Sequence, residues 1–294
     1  MKVNRTILIL GCGDVGTALG HLLVKQGHRV IGVRRNSIAA LADTGIEGVA
    51  LDVNAPGALE TLPDADIIVY AISADRFEEK AYQTAYVDGL TATLAHFEAR
   101  ARAPQHVFFV SSTSVYGQQQ GETVNEESPL EPASFSGQRL IEAEQRLAQS
   151  PLPGTTVRFS GIYGPGRERL IGQVREGRIA PATPVMYSNR IHRDDCAGVL
   201  DFLIRRVFEG EPVAPVYLAS DRESAPLHEV MKWLARQLKV EPDSEIQSPL
   251  RRRASKRCDS SRLIETGYRF CYPTFREGYE DILRQGGFMP ARQA

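Results

Sequence analysis

Four cysteines in 294 residues, none in a C-x-x-C pair, leave neither a zinc site nor a disulfide framework to look for. Cys12, Cys196, Cys258 and Cys271 suit a chain kept reduced in the cytoplasm. Long apolar runs are missing as well. No stretch approaches the ~20 residues of a membrane span, and the run after Lys2 and Arg5 is one strand long before it meets Gly11, too short for a signal peptide. Charge of one sign is also scarce: a formal net charge of −1 gives no global pull toward nucleic acid or an anionic membrane. The local exception, Arg251-Arg252-Arg253 with Lys256 and Arg257, carries no interleaved aromatic residues and reads as a solvated face before it reads as a nucleic-acid patch. One tryptophan and four methionines are too few to mark a binding surface, and Trp233 falls in an ordinary amphipathic pattern. There is no internal repeat, and the one low-complexity patch, Gln118-Gln119-Gln120-Gly121, reads as a loop.

What is present is a core and an order. With 42% apolar residues the chain can bury one large or two smaller domains. Thr6-Ile7-Leu8-Ile9-Leu10 reads as a buried strand running into Gly11-Cys12-Gly13-Asp14-Val15-Gly16. Ala18, Leu19, Leu22 and Leu23 then mark a helical stripe, Gly27 stops it, and Arg29 to Val33 is a second strand. A G-x-G-x-x-G after a buried strand and opening a helix has specific physical uses. Gly11 lets the chain turn, Gly13 lets backbone approach a pyrophosphate with no Cβ in the way, and Gly16 lets the helix pack on the strand. The N–H groups of Asp14, Val15 and Gly16 and the helix dipole favour the anion. The alternative is a tight α/β turn without a ligand.

The end of the second strand separates the two dinucleotides. A 2′-hydroxyl is normally held there by Asp or Glu, and a 2′-phosphate by a guanidinium. Here the strand ends in Arg34-Arg35-Asn36-Ser37, with no acid. NADP(H) is therefore the expected cofactor and NAD(H) the second choice, with Arg34 or Arg35 stacking on the adenine or pairing with the phosphate. Two merely solvated arginines are the competing reading.

Further strands are expected near Val49 to Leu51, Asp66 to Ala71, Val107 to Val110 and Thr155 to Phe159, with the longest helix over Glu79 to Arg102. Strand and helix alternating with short connections imply an α/β, Rossmann-type doubly wound parallel sheet with helices on both faces. Past about residue 165 Gly and Pro loosen the pattern. The expectation is a dinucleotide-binding domain over 1–165 and a smaller C-terminal substrate lobe over 166–294, threaded back into the first over 190–220.

These residues together resemble the extended short-chain dehydrogenase/reductase family, which includes NAD-dependent epimerases and dehydratases. The resemblance rests on GCGDVG at Gly11, Asp52-Val53, Ala71-Ile72-Ser73-Ala74, SSTSVYG at Ser111, Asn125 to Pro129, Arg158 to Gly166 and Ile191-His192-Arg193-Asp194-Asp195, in that order. It implies that Asp52 meets the adenine amine with Val53 beside it, that Ala71, Ile72 and Ser73 line the cofactor, and that Ser112 binds the substrate oxygen. The family's tyrosine acid/base and the lysine four residues on fall here at Phe135 and Arg139. No tyrosine of the chain has a lysine four residues after it, so shifting the alignment does not restore the pair. A phenyl ring has no proton to give. Arg139 can hold ribose hydroxyls or a phosphate, but with a pKa above about 12 it is no proton relay. Thr113 and Ser114 stand where the sugar-nucleotide 4,6-dehydratases carry Asp and Glu, which points away from that activity. Tyr116, Tyr163 and His192 are the substitutes for the lost proton donor; Tyr163 is the best placed, because the family's loop there approaches the nicotinamide. Each also has a structural reading: the tyrosines packing in Y-G turns, and His192 preceding Asp194-Asp195, which would cap a helix through Leu200 to Arg206. In the family the C-terminal lobe closes over the substrate, so Lys256 or Arg257 facing a phosphate or carboxylate is a second reading of the basic stretch.

Two functions follow from the resemblance and its gap. One is an NADP(H)-dependent oxidoreductase or epimerase with an altered acid/base, acting on a small carbonyl or sugar-like substrate. The other is an NADP(H)-binding sensor without turnover. No metal, nucleic acid or membrane is expected as a partner; the family's two-helix homodimer is compatible with the helices Glu79 to Arg102 and Ser134 to Gln149.

Overall fold

The computed structural model describes residues 4–36, 38–246 and 255–288. Seven strands form its central sheet: β1 (Thr6–Leu10), β2 (Arg29–Arg34), β3 (Glu47–Ala50), β4 (Ile67–Tyr70), β5 (His106–Ser112), β6 (Gly154–Phe159) and β7 (Val216–Ala219), in the order β7-β6-β5-β4-β1-β2-β3. β1 is central because it can be buried on both faces: Ile7, Leu8, Ile9 and Leu10 are all 0% exposed. It pairs in parallel with β2 on one side and β4 on the other, with Ile7 opposite both Val30 and Ile67. The sheet is a doubly wound Rossmann sheet.

Three helices shape the working edge. α1 (Asp14–Lys25) follows the glycine loop and buries Gly16, Leu19, Gly20 and Leu23 against the sheet. α2 spans 79–98 as Glu79–Tyr82, a π turn at Gln83–Asp88, and Gly89–Glu98. It ends four residues short of the expected Arg102, with Ala99 as its C-cap and the Arg100 side chain beyond it bonding the Leu62 carbonyl and Asp64. α3 (Phe135–Gln149) buries Leu140, Ala143, Glu144 and Leu147.

The chain divides into two interleaved units: 1–115, 134–158 and 196–217 form the first, and 116–133, 159–195 and 218–294 the second. Residues 116–133 and 159–165, expected in the dinucleotide domain, thus pack in the second unit. The second unit has its own apolar core, built around Tyr163, Val174, Met231, Leu234, Phe275 and Tyr279. There the short strands Glu122–Val124 and Lys256–Cys258 pair in parallel, as do Gly161–Tyr163 and Arg190–His192. Arg251, Arg252 and Arg253 lie outside the described residues, as does Ser37. No helix among the described residues is long and apolar enough to cross a membrane.

Candidate cofactor site

The glycine loop is stitched across the C-terminal ends of three neighbouring strands. Gly11 and Cys12 donate their backbone N–H groups to the Val33 carbonyl at 3.1 and 2.9 Å, and Ala71 donates to the Leu10 carbonyl at 2.7 Å. The strand order reverses between β1 and β4, which opens a crevice at these carboxyl ends.

The three glycines are required for three different reasons. Gly11 has φ +87°, and a Cβ on it would come within 2.5 Å of the Ala71 and Ile72 backbone. A Cβ on Gly16 would sit 3.0 Å from the Gly11 carbonyl and the Ile9 side chain, so that glycine permits close helix-to-strand packing. Gly13 is unlike both: its Cβ position has only the Gly11 carbonyl nearby, at 3.9 Å. Packing within the described residues does not demand a glycine there, so the space before its backbone is open. Gly13 is also the N-cap of α1, and no side chain caps that helix, so the N–H groups of its first turn at Asp14, Val15 and Gly16 fit an anion.

One end of the crevice is a cavity of about 520 Å³ lined by Arg35, Asn36, Ala50, Leu51, Asp52 and Asp75. Asp52 follows β3, its Oδ1 accepting the Asn54 N–H at 3.0 Å, while Val53 is buried beneath it. Arg34 is half-buried, with its charge felt at Cys12. Arg35 is exposed and meets Asp75, Nη2 lying 2.5 Å from both carboxylate oxygens. This pairing holds the Asp75 carboxyl below its usual range and raises the guanidinium. Asp75 comes from the loop after β4, past Ala71, Ile72 and Ser73. Sequence reasoning searched for an acid only at the end of β2 and so missed it.

Ser112, Phe135 and Arg139, expected on the substrate side, lie on β5 and α3 in the first unit. Ser112, at the end of β5, accepts the Ser114 N–H at 3.2 Å, a local turn that leaves its own hydroxyl proton to donate. Phe135 sits in an aromatic cluster, its ring 4.8 Å from Phe77 and edge-on to Tyr82 at 5.5 Å. Tyr82 in turn packs on Tyr86, which lies edge-on to Phe109. The Ala74 amide faces the Tyr86 oxygen, while burial pushes that phenol up to about 12.

Arg139 departs from the ribose-holding role that the resemblance implied. Its Nη1 donates to Gln83 and Glu142 at 2.8 and 2.6 Å, and its Nη2 to Glu79 at 3.2 Å. Two carboxylates and an amide take both terminal nitrogens of the guanidinium, while its buried Nε has no partner among the described residues, and the side chain clamps α3 to α2. Beneath this layer lies a network that motif reading did not isolate. Arg158 donates to Glu144 through Nε at 3.0 and 3.1 Å and through Nη2 at 2.6 Å, and Ser111 donates to the same carboxylate at 2.6 Å. All three are buried.

Tyr163, expected as the substitute proton donor, belongs to the second unit and packs in its core. The side chain is 4% exposed within the apolar core, stacked 4.7 Å from Tyr279. Its hydroxyl is without a hydrogen-bond partner among the described residues, and burial pushes the phenol far up. A Cβ on Gly278 would collide with that hydroxyl. The ring packs in that core, while its buried hydroxyl lacks the partner that a buried phenol usually finds. His192 is likewise fully buried, its Nδ1 accepting the Asp194 N–H at 3.2 Å, and burial lowers its basicity. Asp195 does not cap a helix by its side chain: its carboxylate accepts from the Tyr268 hydroxyl and from the N–H groups of Cys271 and Tyr272. Tyr116 is buried, and Lys256, 5% exposed, donates to the Tyr116 carbonyl at 3.0 Å instead of lying on a solvated face.

Comparison with known proteins agrees with this geometry. The model of the NAD dependent epimerase/dehydratase family matches residues 7–217. Protein YeeZ of Escherichia coli (strain K12) is 31% identical over 286 residues, covering 92% of this chain and 97% of that protein. A 3-diazoavenalumate denitrifying reductase from a Streptomyces species is 27% identical over 269 residues, covering 83% and 85%. A solved structure from Methylobacillus flagellatus assigned to the NAD-dependent epimerase/dehydratases is 35% identical with a TM-score of 0.79, covering 97% of this chain and all of that one.

Proposed function

The chain belongs to the NAD dependent epimerase/dehydratase family, and from that premise we propose that it is an NADP(H)-preferring oxidoreductase acting on a small carbonyl or sugar-like substrate without the family's tyrosine/lysine pair. The observation that carries this reading is the open space before Gly13, set at an uncapped helix N-terminus in the same unit as Ser112. The first turn of α1 would take the pyrophosphate, Asp52 and Arg35 the adenosine end, and Ala71, Ile72 and Ser73 the wall beyond. The nicotinamide, when bound, supplies a hydride.

Ser112 donates its free hydroxyl proton to the substrate oxygen and orients it. Hydride transfer asks of the protein only distance and orientation, so the accompanying proton need not come from residue 135. Tyr86 is the phenol that faces the cofactor loop, and water is the alternative source. The reductase among the relatives supports redox chemistry over sugar epimerisation. Four cysteines without a disulfide agree with work in the reducing cytoplasm.

One observation favours a second reading. Arg139 is committed to Glu79 and Glu142, and Phe135 is packed among aromatic rings, as a protein that binds cofactor without turnover could afford. Calorimetric titration with NADPH, NADP⁺, NADH and NAD⁺ comes first, then nicotinamide absorbance with a panel of carbonyls and nucleotide sugars. Tight NADPH binding with turnover is expected. Binding without turnover moves the assignment to a cofactor sensor, and no binding sinks both.

A further inference from the structure

β2 ends without the acid that an NAD site needs, yet the cavity at its end is not without one. Asp75 enters from the loop after β4 and lines the same cavity as Arg35, Asn36 and Asp52. Its two carboxylate oxygens share one nitrogen of Arg35 at 2.5 Å. We propose that Asp75, through its hold on Arg35, is the residue that sets the discrimination between NADP(H) and NAD(H); the proposal rests on reading the crevice as a dinucleotide site.

The side chains of the pair are 48% and 61% exposed, and an ion pair that open to solvent holds its partners weakly. A 2′-phosphate offers Arg35 more negative charge than a carboxylate does, with oxygens that suit the planar guanidinium. It can therefore displace Asp75. A displaced Asp75, together with Asp52 in the same cavity, then faces the phosphate as like charge. A 2′-hydroxyl has the opposite relation to the pair. It leaves Arg35 and Asp75 together and donates to the carboxylate, which does from the β4 loop what an acid at the end of β2 would do. One carboxylate thus works against NADPH twice, as competitor and as repeller, and in favour of NADH once.

The test is calorimetric titration of the wild-type chain, Asp75→Asn, Arg35→Ala and the double variant with NADPH and with NADH. Asp75→Asn is expected to tighten NADPH about fivefold, the scale of an exposed ion pair, and to weaken NADH. The ratio of the two affinities should rise about tenfold. Arg35→Ala should lower that ratio, and in its background the Asp75 change should tighten NADPH less than it does in the wild type, because only the repulsion is left to remove, which makes the two substitutions non-additive. Both side chains are exposed, and unchanged thermal unfolding would verify that each variant folds.

Cofactor binding intact with the ratio within twofold of wild type, or additive effects in the double variant, would overturn the role of Asp75 while leaving the dinucleotide site standing. Neither dinucleotide binding to the wild-type chain would overturn the site and this proposal together.

Discussion

Glu144→Gln is the substitution whose cost the structure defines best. The Glu144 and Arg158 side chains are 8% and 4% exposed, joined by contacts of 3.0, 3.1 and 2.6 Å, and Ser111 adds a third donor at 2.6 Å. Neutralising the carboxylate keeps the volume and two acceptor lone pairs but takes the Glu144 charge away from a buried guanidinium. Breaking one half of a buried pair costs about 3–5 kcal/mol, against a total stability of about 5–15 kcal/mol for a folded domain. Urea unfolding followed by circular dichroism should therefore show a midpoint lowered by about a fifth or more with little change in slope. The same reasoning says the pair itself is a poor stabiliser. Glu144→Leu with Arg158→Met removes both charges together, and it should unfold within about 2 kcal/mol of wild type, although it leaves Ser111 without its acceptor. A Glu144→Gln midpoint within about 1 kcal/mol of wild type would refute the argument, as would a double variant as unstable as the sum of the singles. Ser111 neighbours Ser112, so loosening of the β5 end should also weaken any ligand that Ser112 touches.

Gly13→Ala should fold with wild-type stability, because its Cβ meets nothing closer than 3.9 Å, yet lose NADPH affinity at least tenfold by calorimetry; Gly11→Ala, which collides with backbone at 2.5 Å, should fail on both counts. Tyr163→Phe removes a buried hydroxyl without a described partner, so it should leave cofactor binding and turnover unchanged and stabilise the fold by up to about 1 kcal/mol; a large loss of turnover would restore Tyr163 to the chemistry. Two buried groups should give stability opposite pH dependences. Burial pushes His106 down to about 4, so the native state keeps it neutral and stability is lost as pH falls from about 6.5 through 4, by up to about 3 kcal/mol. Burial pushes Asp221 up to about 7, so the native carboxyl keeps a proton that the unfolded chain releases near 4, and stability is lost as pH rises between those values. Urea midpoints across pH should flatten in the lower limb for His106→Asn and in the upper limb for Asp221→Asn. Phe135→Tyr with Arg139→Lys should add little reductase activity by itself, because Glu79 and Glu142 hold the lysine; adding Glu79→Gln and Glu142→Gln should create or raise activity on generic carbonyls, and binding without any gain would show that the substrate side has drifted as well.

The first unit was legible in the sequence because its signals are local. A strand of five apolar residues, three glycines at fixed offsets and an amphipathic stripe each act over a few residues, and β1, α1 and β2 form where those patterns lie. β7 left no comparable mark: Val216-Tyr217-Leu218-Ala219 is a four-residue run, and its place at the sheet edge depends on pairing with a strand more than fifty residues away. The interleaving of the units was hidden for the same reason, since no local signal says that 116–133 packs with 218–294. Asp75 and Glu144 belong to this class too. Each is an unremarked acid in the sequence, and each acquires its role from an arginine, Arg35 or Arg158, that the fold brings beside it.

The same distinction explains why the catalytic side read less well than the cofactor side. A pyrophosphate is held by backbone, and the need for missing Cβ atoms is written directly as glycine. A proton donor is defined by what surrounds a side chain, and motif position cannot supply that. Tyr163 stands at a family motif and is nonetheless walled into a core against Tyr279 and Gly278. Tyr86 belongs to none of the motifs that carry the resemblance, sits within a π turn of α2 and has the Ala74 amide at its oxygen. π turns inside helices recur at functional sites because they re-aim side chains that a regular helix would bury. Position 135 is also no longer an isolated loss. Phe135 packs on Phe77 and Tyr82, and Arg139 bonds Glu79, Gln83 and Glu142, so both positions are embedded in the α2–α3 seam. A lysine at 139 would inherit two carboxylates that hold it away from a ribose. Under the proposed reading a departure from the family's pair would belong to both helices, and the proton donor is to be sought along α2 as much as along α3.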